Sequence, residues 1–282
     1  MLSYRHGFHA GNHADVLKHS LIALVVQALK QKDKPFVYID THAGAGKYAL
    51  KSQFSQKTGE YQQGIGRLWT NSQALPELKD YLGAIRAENT GGELLRYPGS
   101  PQLVRRLIRN QDRMLLSELH GTDYDTLYQL FVQDKQVSVA KEDGLLMLEK
   151  KLPPIQKRGL ILIDPSYEIK SDYTKVVQTL ENAYRRFATG IYALWYPVID
   201  RGVTEKMHQR FIASAIPRQL RIEQSICADG AVRGMTGSGM LFINPPWQLH
   251  DQALTLLPWL NQVLTDGQGQ WQVKWQVPEL IA

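Results

Sequence analysis

Phe36-Val37-Tyr38-Ile39-Asp40, running without a break into Thr41-His42-Ala43-Gly44-Ala45-Gly46-Lys47, is the stretch that decides the fold. A short run that is apolar up to its terminal acid has the composition of a strand buried on both faces, as in a parallel sheet. Glycines at 44 and 46 then let the backbone turn tightly and approach a ligand closely. Upstream, from about Asn12 to Lys32, Val16, Leu17, Leu21, Leu24, Val25 and Leu29 recur mostly at three- and four-residue spacing. This predicts a helix with Asn12 as its N-cap. Downstream of Ser100, candidate strands (113–118, 137–140, 159–164, 191–196, 218–226, 239–244) alternate with candidate helices (100–109, 122–133, 144–151, 173–188, 203–215, 250–264), and 270–277 reads as an edge strand. Such alternation predicts an α/β fold with a doubly wound sheet. Residues 50–98 are polar and carry two weak helical patterns, about 62–70 and 75–88. They read as a small helical insertion in a single domain, 1–282, whose residues 1–34 form an N-terminal cap segment and helix.

Composition bounds what such a chain can be. At 282 residues, 43% apolar and 21% charged, it can build one large packed core, which excludes the disordered classes. No run of about 18 uncharged apolar residues is present, and the first residues lack the apolar stretch of a signal peptide, so a soluble cytoplasmic protein is expected. The single cysteine, Cys227, excludes a disulfide scaffold and a multi-cysteine zinc site. A charge of +6 and a pI near 9.2 suit a nucleic-acid partner without requiring one. Histidine is distributed more tellingly: of the 8, His6, His9, His13, His19 and His42 fall close to the N-terminus.

Ligands of open α/β sheets bind beyond the carboxyl ends of the strands. Four successive candidate strands end in or near acids: Asp40, Glu118, Glu142-Asp143-Gly144 and Asp164-Pro165-Ser166-Tyr167. The glycine turn is not a phosphate-binding P-loop, because Thr41 stands where that motif needs glycine and Tyr48 where it needs serine or threonine. Gly44 and Gly46 match half of the dinucleotide fingerprint, whose acid follows about 20 positions on. Glu118 comes later, with the 50–98 insertion between. The glycine turn, the acid ending the second strand and the D-P-x-Y ending the fourth resemble, in that order, the pattern of Rossmann-like class I S-adenosylmethionine-dependent methyltransferases. In that reading Gly44 lies against the methionine part. Glu118 accepts from the ribose hydroxyls, and Asp143 accepts from the adenine amino group beside Gly144. Ser100, read as the cap of a helix opened by Pro101, faces the cofactor carboxylate.

Asp164-Pro165-Ser166-Tyr167 resembles the (D/N)-P-P-(Y/F/W) loop of enzymes that methylate exocyclic amines. Such a nitrogen is a poor nucleophile because its lone pair is delocalised into the ring. Two acceptors, the Asp164 side chain and the Pro165 carbonyl on its stiff turn, would hold the two N–H groups and localise that pair. Tyr167 would stack on a base taken out of its own stack. Ser166 replaces the usual second proline, so both acceptors survive and only the fixed φ is lost. Asn244-Pro245-Pro246-Trp247 matches the loop more literally and is a competing candidate. In the N-terminal segment, His6, His9, His13 and Asp15 could alternatively ligate a metal or form a solvated basic arm. The preferred reading is a cap in which Lys18 and His19 reach the pocket, Tyr4 and His6 meet RNA, and Arg5 reaches phosphate.

The combination of Tyr4-Arg5-His6-x-Phe8-His9-Ala10-Gly11-Asn12-His13-Ala14-Asp15-Val16-Leu17-Lys18-His19, D-T-H-A-G-A-G at 40–46, R-Y-P-G-S-P at 96–101, L-I-L-I-D-P-x-Y-E at 160–168 and F-A-T-G-I-Y-A-L-W-Y-P at 187–197 resembles the RlmJ family, bacterial 23S rRNA adenine-N6 methyltransferases, over essentially the whole chain. The resemblance implies S-adenosylmethionine as cofactor, no metal, and a monomer acting on protein-free 23S rRNA. It implies cofactor contacts at Lys18, His19, His42, Gly44, Ser100, Glu118, Asp143, Gly144 and Asp164. Asp164, Pro165 and Tyr167 would be catalytic, and Tyr4, Arg5, His6, Lys18, Ser166 and Tyr167 would meet the substrate. The rivals are a DNA adenine-N6 methyltransferase and a noncatalytic RNA-binding protein with a weakened loop.

Overall fold

The structure, a computed structural model, describes residues 6–51, 58–232 and 234–278, so Tyr4 and Arg5 lie outside the described residues. In chain order the elements are α1 (His13–Lys30), β1 (Val37–Asp40), β2 (Lys47–Ala49), α2 (Lys79–Ala87), β3 (Arg96–Pro98), α3 (Ser100–Leu107), β4 (Arg113–Ser117), α4 (Gly121–Phe131) and β5 (Val137–Ala140). They continue as α5 (Gly144–Lys151), β6 (Gly159–Ile163), α6 (Asp172–Arg186), β7 (Ile191–Val198), α7 (Arg201–Ala213), β8 (Gln219–Ser225), β9 (Gly237–Ile243), α8 (Leu249–Thr265) and β10 (Gln270–Val277).

Eight strands form one sheet in the order β10-β8-β9-β7-β6-β1-β4-β5. β5, β4, β1, β6 and β7 run parallel, whereas β9 is antiparallel to both β7 and β8. The antiparallel β10 closes the edge beside β8, as 270–277 was read. The winding reverses between β1 and β6, which puts the crevice of an open α/β sheet just beyond Asp40 and Ile163. This is the Rossmann-like sheet of the class I methyltransferase resemblance. β1 and β6 are buried at every position, which explains their unbroken apolar sequence. Because successive side chains point to opposite faces, Tyr38 packs with α1, α2, α3 and α8, while Val37 and Ile39 pack with α5, α6 and α7.

α1 starts as read, with the Asn12 side chain accepting from the Asp15 N–H. Sheet on one side and the 50–98 segment on the other bury even its polar residues Asp15, Lys18, His19 and Ser20. Within that segment, helical turns at Glu60–Gln63 and Ile65–Trp69 precede α2. Ile65, Leu68, Tyr81 and Ile85 belong to the same core as α1, so the segment is packed into the domain along that helix. β2 and β3, three residues each and not expected from the sequence, pair antiparallel across the base of the segment. Strands that short leave no periodicity to read. No helix among the described residues is long and apolar enough to cross a membrane.

Candidate active site

The carboxyl ends of β1, β4, β5 and β6 deliver the acids to one place. His6, Lys18, His19, His42, Gly44, Ser100, Glu118, Asp143, Gly144, Asp164, Pro165, Ser166 and Tyr167 all line a single cavity of about 550 Å³. Every site residue expected from the sequence that lies within the described residues is therefore at its wall. The volume is within the ordinary range for a small-molecule site.

On the β1 side, Gly44 takes a φ of +59° and its N–H donates to Glu118 Oε2 at 2.7 Å. The other Glu118 oxygen accepts from the His120 N–H at 2.7 Å. Burial raises the Glu118 carboxyl above its ordinary value, and the His120 and Gly44 amides pull it part of the way back. Asp143 caps α5, its Oδ1 accepting from the N–H groups of Leu145 and Leu146. Gly144 is needed for contact: a Cβ there would lie 1.9 Å from the Thr41 carbonyl oxygen. The β1 loop and the start of α5 thus pack backbone to backbone. His42 meets Thr41 Oγ1 at 2.7 Å, and desolvation holds its ring below the usual range.

Ser100 corrects one expectation. It is the first residue of α3, and Gly99 is the cap. Its hydroxyl donates instead to Asp40 Oδ2 at 2.6 Å, beside the Tyr38 hydroxyl, which donates to the same oxygen at 2.7 Å. Asp40 is fully buried, and that burial pushes its carboxyl up to about 6. This acid was noted as a strand end, but its role in tying β1 to α3 was not legible.

The N-terminal segment is tied down by acids. Asp15 is buried, and its Oδ2 meets His6 Nε2 and accepts from the Gly11 N–H, both at 2.9 Å. Its Oδ1 lies 3.0 Å from Lys18 Nζ. His9 turns to a different acid, Glu60, at 2.9 Å. Among the described residues no group of three or more potential metal ligands converges. Lys18 also donates to Asp164 Oδ2 at 2.7 Å and lies 5.5 Å from the Trp195 ring centre. Burial alone would lower the Lys18 ammonium, but the carboxylates of Asp15 and Asp164 overcome it and hold the pKa above its ordinary value. Asp15, considered only as a metal ligand from sequence, is thus the third member of a buried triad. A signal was present in the i,i+3 pair Asp15/Lys18 within an apolar helix.

At the end of β6, Tyr167 has a φ of +54°. Its hydroxyl donates to the Trp195 carbonyl at 2.8 Å, and its ring lies 4.5 Å from that of Tyr173. Asn244, in the competing loop, is elsewhere. It follows the antiparallel β9, so it emerges at the amino end of β7, away from the carboxyl ends of the parallel strands, and its amide donates to the carbonyls of Ala188 and Gly190. That turn closes a strand and does not meet the cavity. Three buried polar atoms of cavity-lining residues, His19 Nε2, His120 Nδ1 and Trp195 Nε1, have no hydrogen-bond partner among the described residues. Such atoms are open to a bound ligand or water.

Comparison with known proteins places the chain in a family. The family model described as "Ribosomal RNA large subunit methyltransferase D, RlmJ" matches residues 33–277. The chain is 51% identical to the Escherichia coli (strain K12) protein named "Ribosomal RNA large subunit methyltransferase J", covering 99% of this chain and 100% of that one. It is 49% identical to the protein of the same name from Haemophilus influenzae, with the same coverage. A crystal structure of a Legionella pneumophila protein superposes with a TM-score of 0.88 at 37% identity, over 94% of this chain and 98% of that one. By the extent of the family match and by its near-full-length relatives, this chain belongs to the RlmJ family.

Proposed function

We propose that this protein transfers a methyl group from S-adenosylmethionine to the exocyclic N6 of an adenine in 23S rRNA, acting in the cytoplasm as a monomer on RNA not yet covered by ribosomal proteins. The observation that carries the reading is the convergence of Asp164-Pro165-Ser166-Tyr167 on the same cavity as Glu118, Asp143, Gly144 and His19. The names of the two relatives support rRNA as the class of substrate, and a charge of +6 suits a polyanion.

The cavity residues fit the proposed cofactor. Each Glu118 oxygen holds one N–H and retains acceptor capacity for a ribose hydroxyl. Asp143 spends only Oδ1 on its helix, so Oδ2 serves the adenine amino group beside Gly144. His19, with its unpartnered Nε2, joins Lys18, His42, Gly44 and Ser100 around the methionine half. When bound, S-adenosylmethionine supplies an electrophilic methyl on a sulfonium. The remaining work belongs to the chain. Asp164 and the Pro165 carbonyl accept from the two N–H groups of the target amine and hold its lone pair on line. Asp164 takes the released proton. Lys18 keeps the Asp164 carboxylate aimed by a charge-assisted bond. Tyr167 offers its ring to the extruded base, with Ser166, His6, Tyr4 and Arg5 along the RNA path.

Labelled methyl transfer tests this, using 23S rRNA from a strain lacking the gene, either protein-free or within assembled large subunits. Free rRNA should accept label and assembled subunits should not; the reverse pattern would refute the proposed substrate. Glu118→Ala should weaken S-adenosylmethionine binding at least about ten-fold, the loss of a charged hydrogen-bond acceptor.

A further inference from the structure

His19 is held from behind by two tyrosines that no catalytic consideration requires. Its Nδ1 lies 2.7 Å from the Tyr97 hydroxyl. That hydroxyl lies 3.1 Å from the hydroxyl of Tyr81. All three side chains are buried, with His19 at 1% exposure and both tyrosines at 0%. Tyr81 sits on α2 and Tyr97 on β3, so the chain of hydroxyls begins inside the 50–98 segment and ends at the cavity wall.

The direction of this chain is decided by counting donors. A phenol carries one O–H, and a buried O–H without an acceptor is costly. Among the described residues the Tyr81 hydroxyl has one partner, the Tyr97 oxygen, so Tyr81 donates to it. The Tyr97 O–H then has one acceptor left, His19 Nδ1. A ring nitrogen that accepts carries no proton, so in the neutral imidazole the proton sits on Nε2. The opposite direction would strand the Tyr81 proton in the core. Burial favours the neutral ring, and the Lys18 ammonium adds to it against Asp15. Nε2 is the ring atom that has no hydrogen-bond partner among the described residues.

We propose that Tyr81 and Tyr97 form a hydroxyl relay that fixes His19 as an Nε2–H donor facing the cavity. Ser100, at the N-terminus of α3, lines the same cavity as His19, and a helix start also favours an anion there. The acceptor for the Nε2–H is the carboxylate of the methionine half, an assignment that rests on the cofactor reading above. The two tyrosines are positioning residues. They give the 50–98 segment a role in cofactor binding although it contributes neither tyrosine to the cavity wall.

The relay is tested in the ligand-free protein with ¹⁵N-labelled histidine, the His19 signals being assigned by their loss in His19→Gln. The two-bond proton–nitrogen pattern should show a proton on Nε2 and none on Nδ1. Tyr97→Phe removes the donor and should convert this single form into a mixture of tautomers. The same variant should weaken S-adenosylmethionine binding about ten-fold. Tyr81→Phe leaves the Tyr97 O–H to His19, so Nε2–H should persist with a loss of less than about three-fold. A wild-type His19 protonated on Nδ1 overturns the relay, and this outcome needs no variant to fold. So does an unchanged tautomer in a folded Tyr97→Phe. An Nε2–H signal in a protein that binds no S-adenosylmethionine would uphold the relay and sink the cofactor reading.

Discussion

At the scale of the residue, the site turns on Asp164 and the cation beneath it. Asp164→Asn keeps one carbonyl oxygen but loses the charge and the proton acceptor, so methyl transfer should fall at least about 10²-fold, the scale of losing one aligned electrostatic contact. Cofactor affinity should change much less, which equilibrium binding would show. Lys18→Met removes the one ammonium shared by two carboxylates, at 2.7 and 3.0 Å. Stranding buried acids costs about 3–5 kcal/mol, so denaturant unfolding should show a loss of that order. A loss below about 1 kcal/mol would mean the triad is solvated. Ser166→Pro restores the rigid φ of the usual loop and should leave activity intact or raise it; a large rise would identify the present loop as rate-limiting. Asp164 and Glu118 were legible because strand ends can be read from sequence and ligands gather there. The triad was not, because pairing Lys18 with a residue 146 positions away depends on how α1 packs on the sheet. Ser100 was misread as a cap for a similar reason: its partner, Asp40, is met only once β1 and α3 are side by side.

At the scale of the element, close backbone contact explains why the site is so well fixed. The start of α5 touches the loop after β1 at Gly144, where a methyl would meet the Thr41 carbonyl group. Gly144→Ala should therefore push these two loops apart, lowering the thermal midpoint and weakening cofactor binding together. A stability loss with unchanged affinity would separate the contact from the site. The strand and helix pattern from β4 to β10 was legible almost throughout, because each apolar run matches a strand buried on both faces or a helix with one inward face. The segment at 50–98 was legible as helical and only partly as structure. β2 and β3 escaped, and so did its attachment: the Ile65 N–H donates to the Gly11 carbonyl at 2.8 Å, and Gly64 sits against that same backbone. Nothing in local periodicity reveals a contact between a turn and a segment so far up the chain.

At the scale of the whole molecule, buried histidines set the acid limit of stability. His19 and His208 are both 1% exposed, and burial lowers both rings from 6.5 to about 3. A depressed histidine binds its proton more weakly folded than unfolded, so its contribution is full above 6.5 and shrinks as pH falls below it. At pH 5 each should have lost about 2 kcal/mol. His13, lowered to about 4, acts in the same direction. Asp40, raised to about 6, opposes them, since its share grows as pH falls through 6, and Glu118, raised by burial, and His9, raised by its bond to Glu60, act the same way, but the four lowered rings of His13, His19, His42 and His208 outweigh them. Unfolding midpoints should therefore drop steeply between pH 6.5 and 5, and His208→Gln should flatten that slope by about one proton. An unchanged slope would show that His208 is not held neutral. The proposed function is also a property of the whole chain, since Glu118 and Asp143, the N-terminal segment and the loop after β6 come from distant parts of the sequence and meet at one cavity. The most direct measurement is mass spectrometry of nucleosides from protein-free 23S rRNA incubated with S-adenosylmethionine and either the wild-type protein or Asp164→Asn. N6-methyladenosine should form with the wild type and be nearly absent with the variant. A methyl on any other atom, or equal product from both proteins, would contradict the assignment.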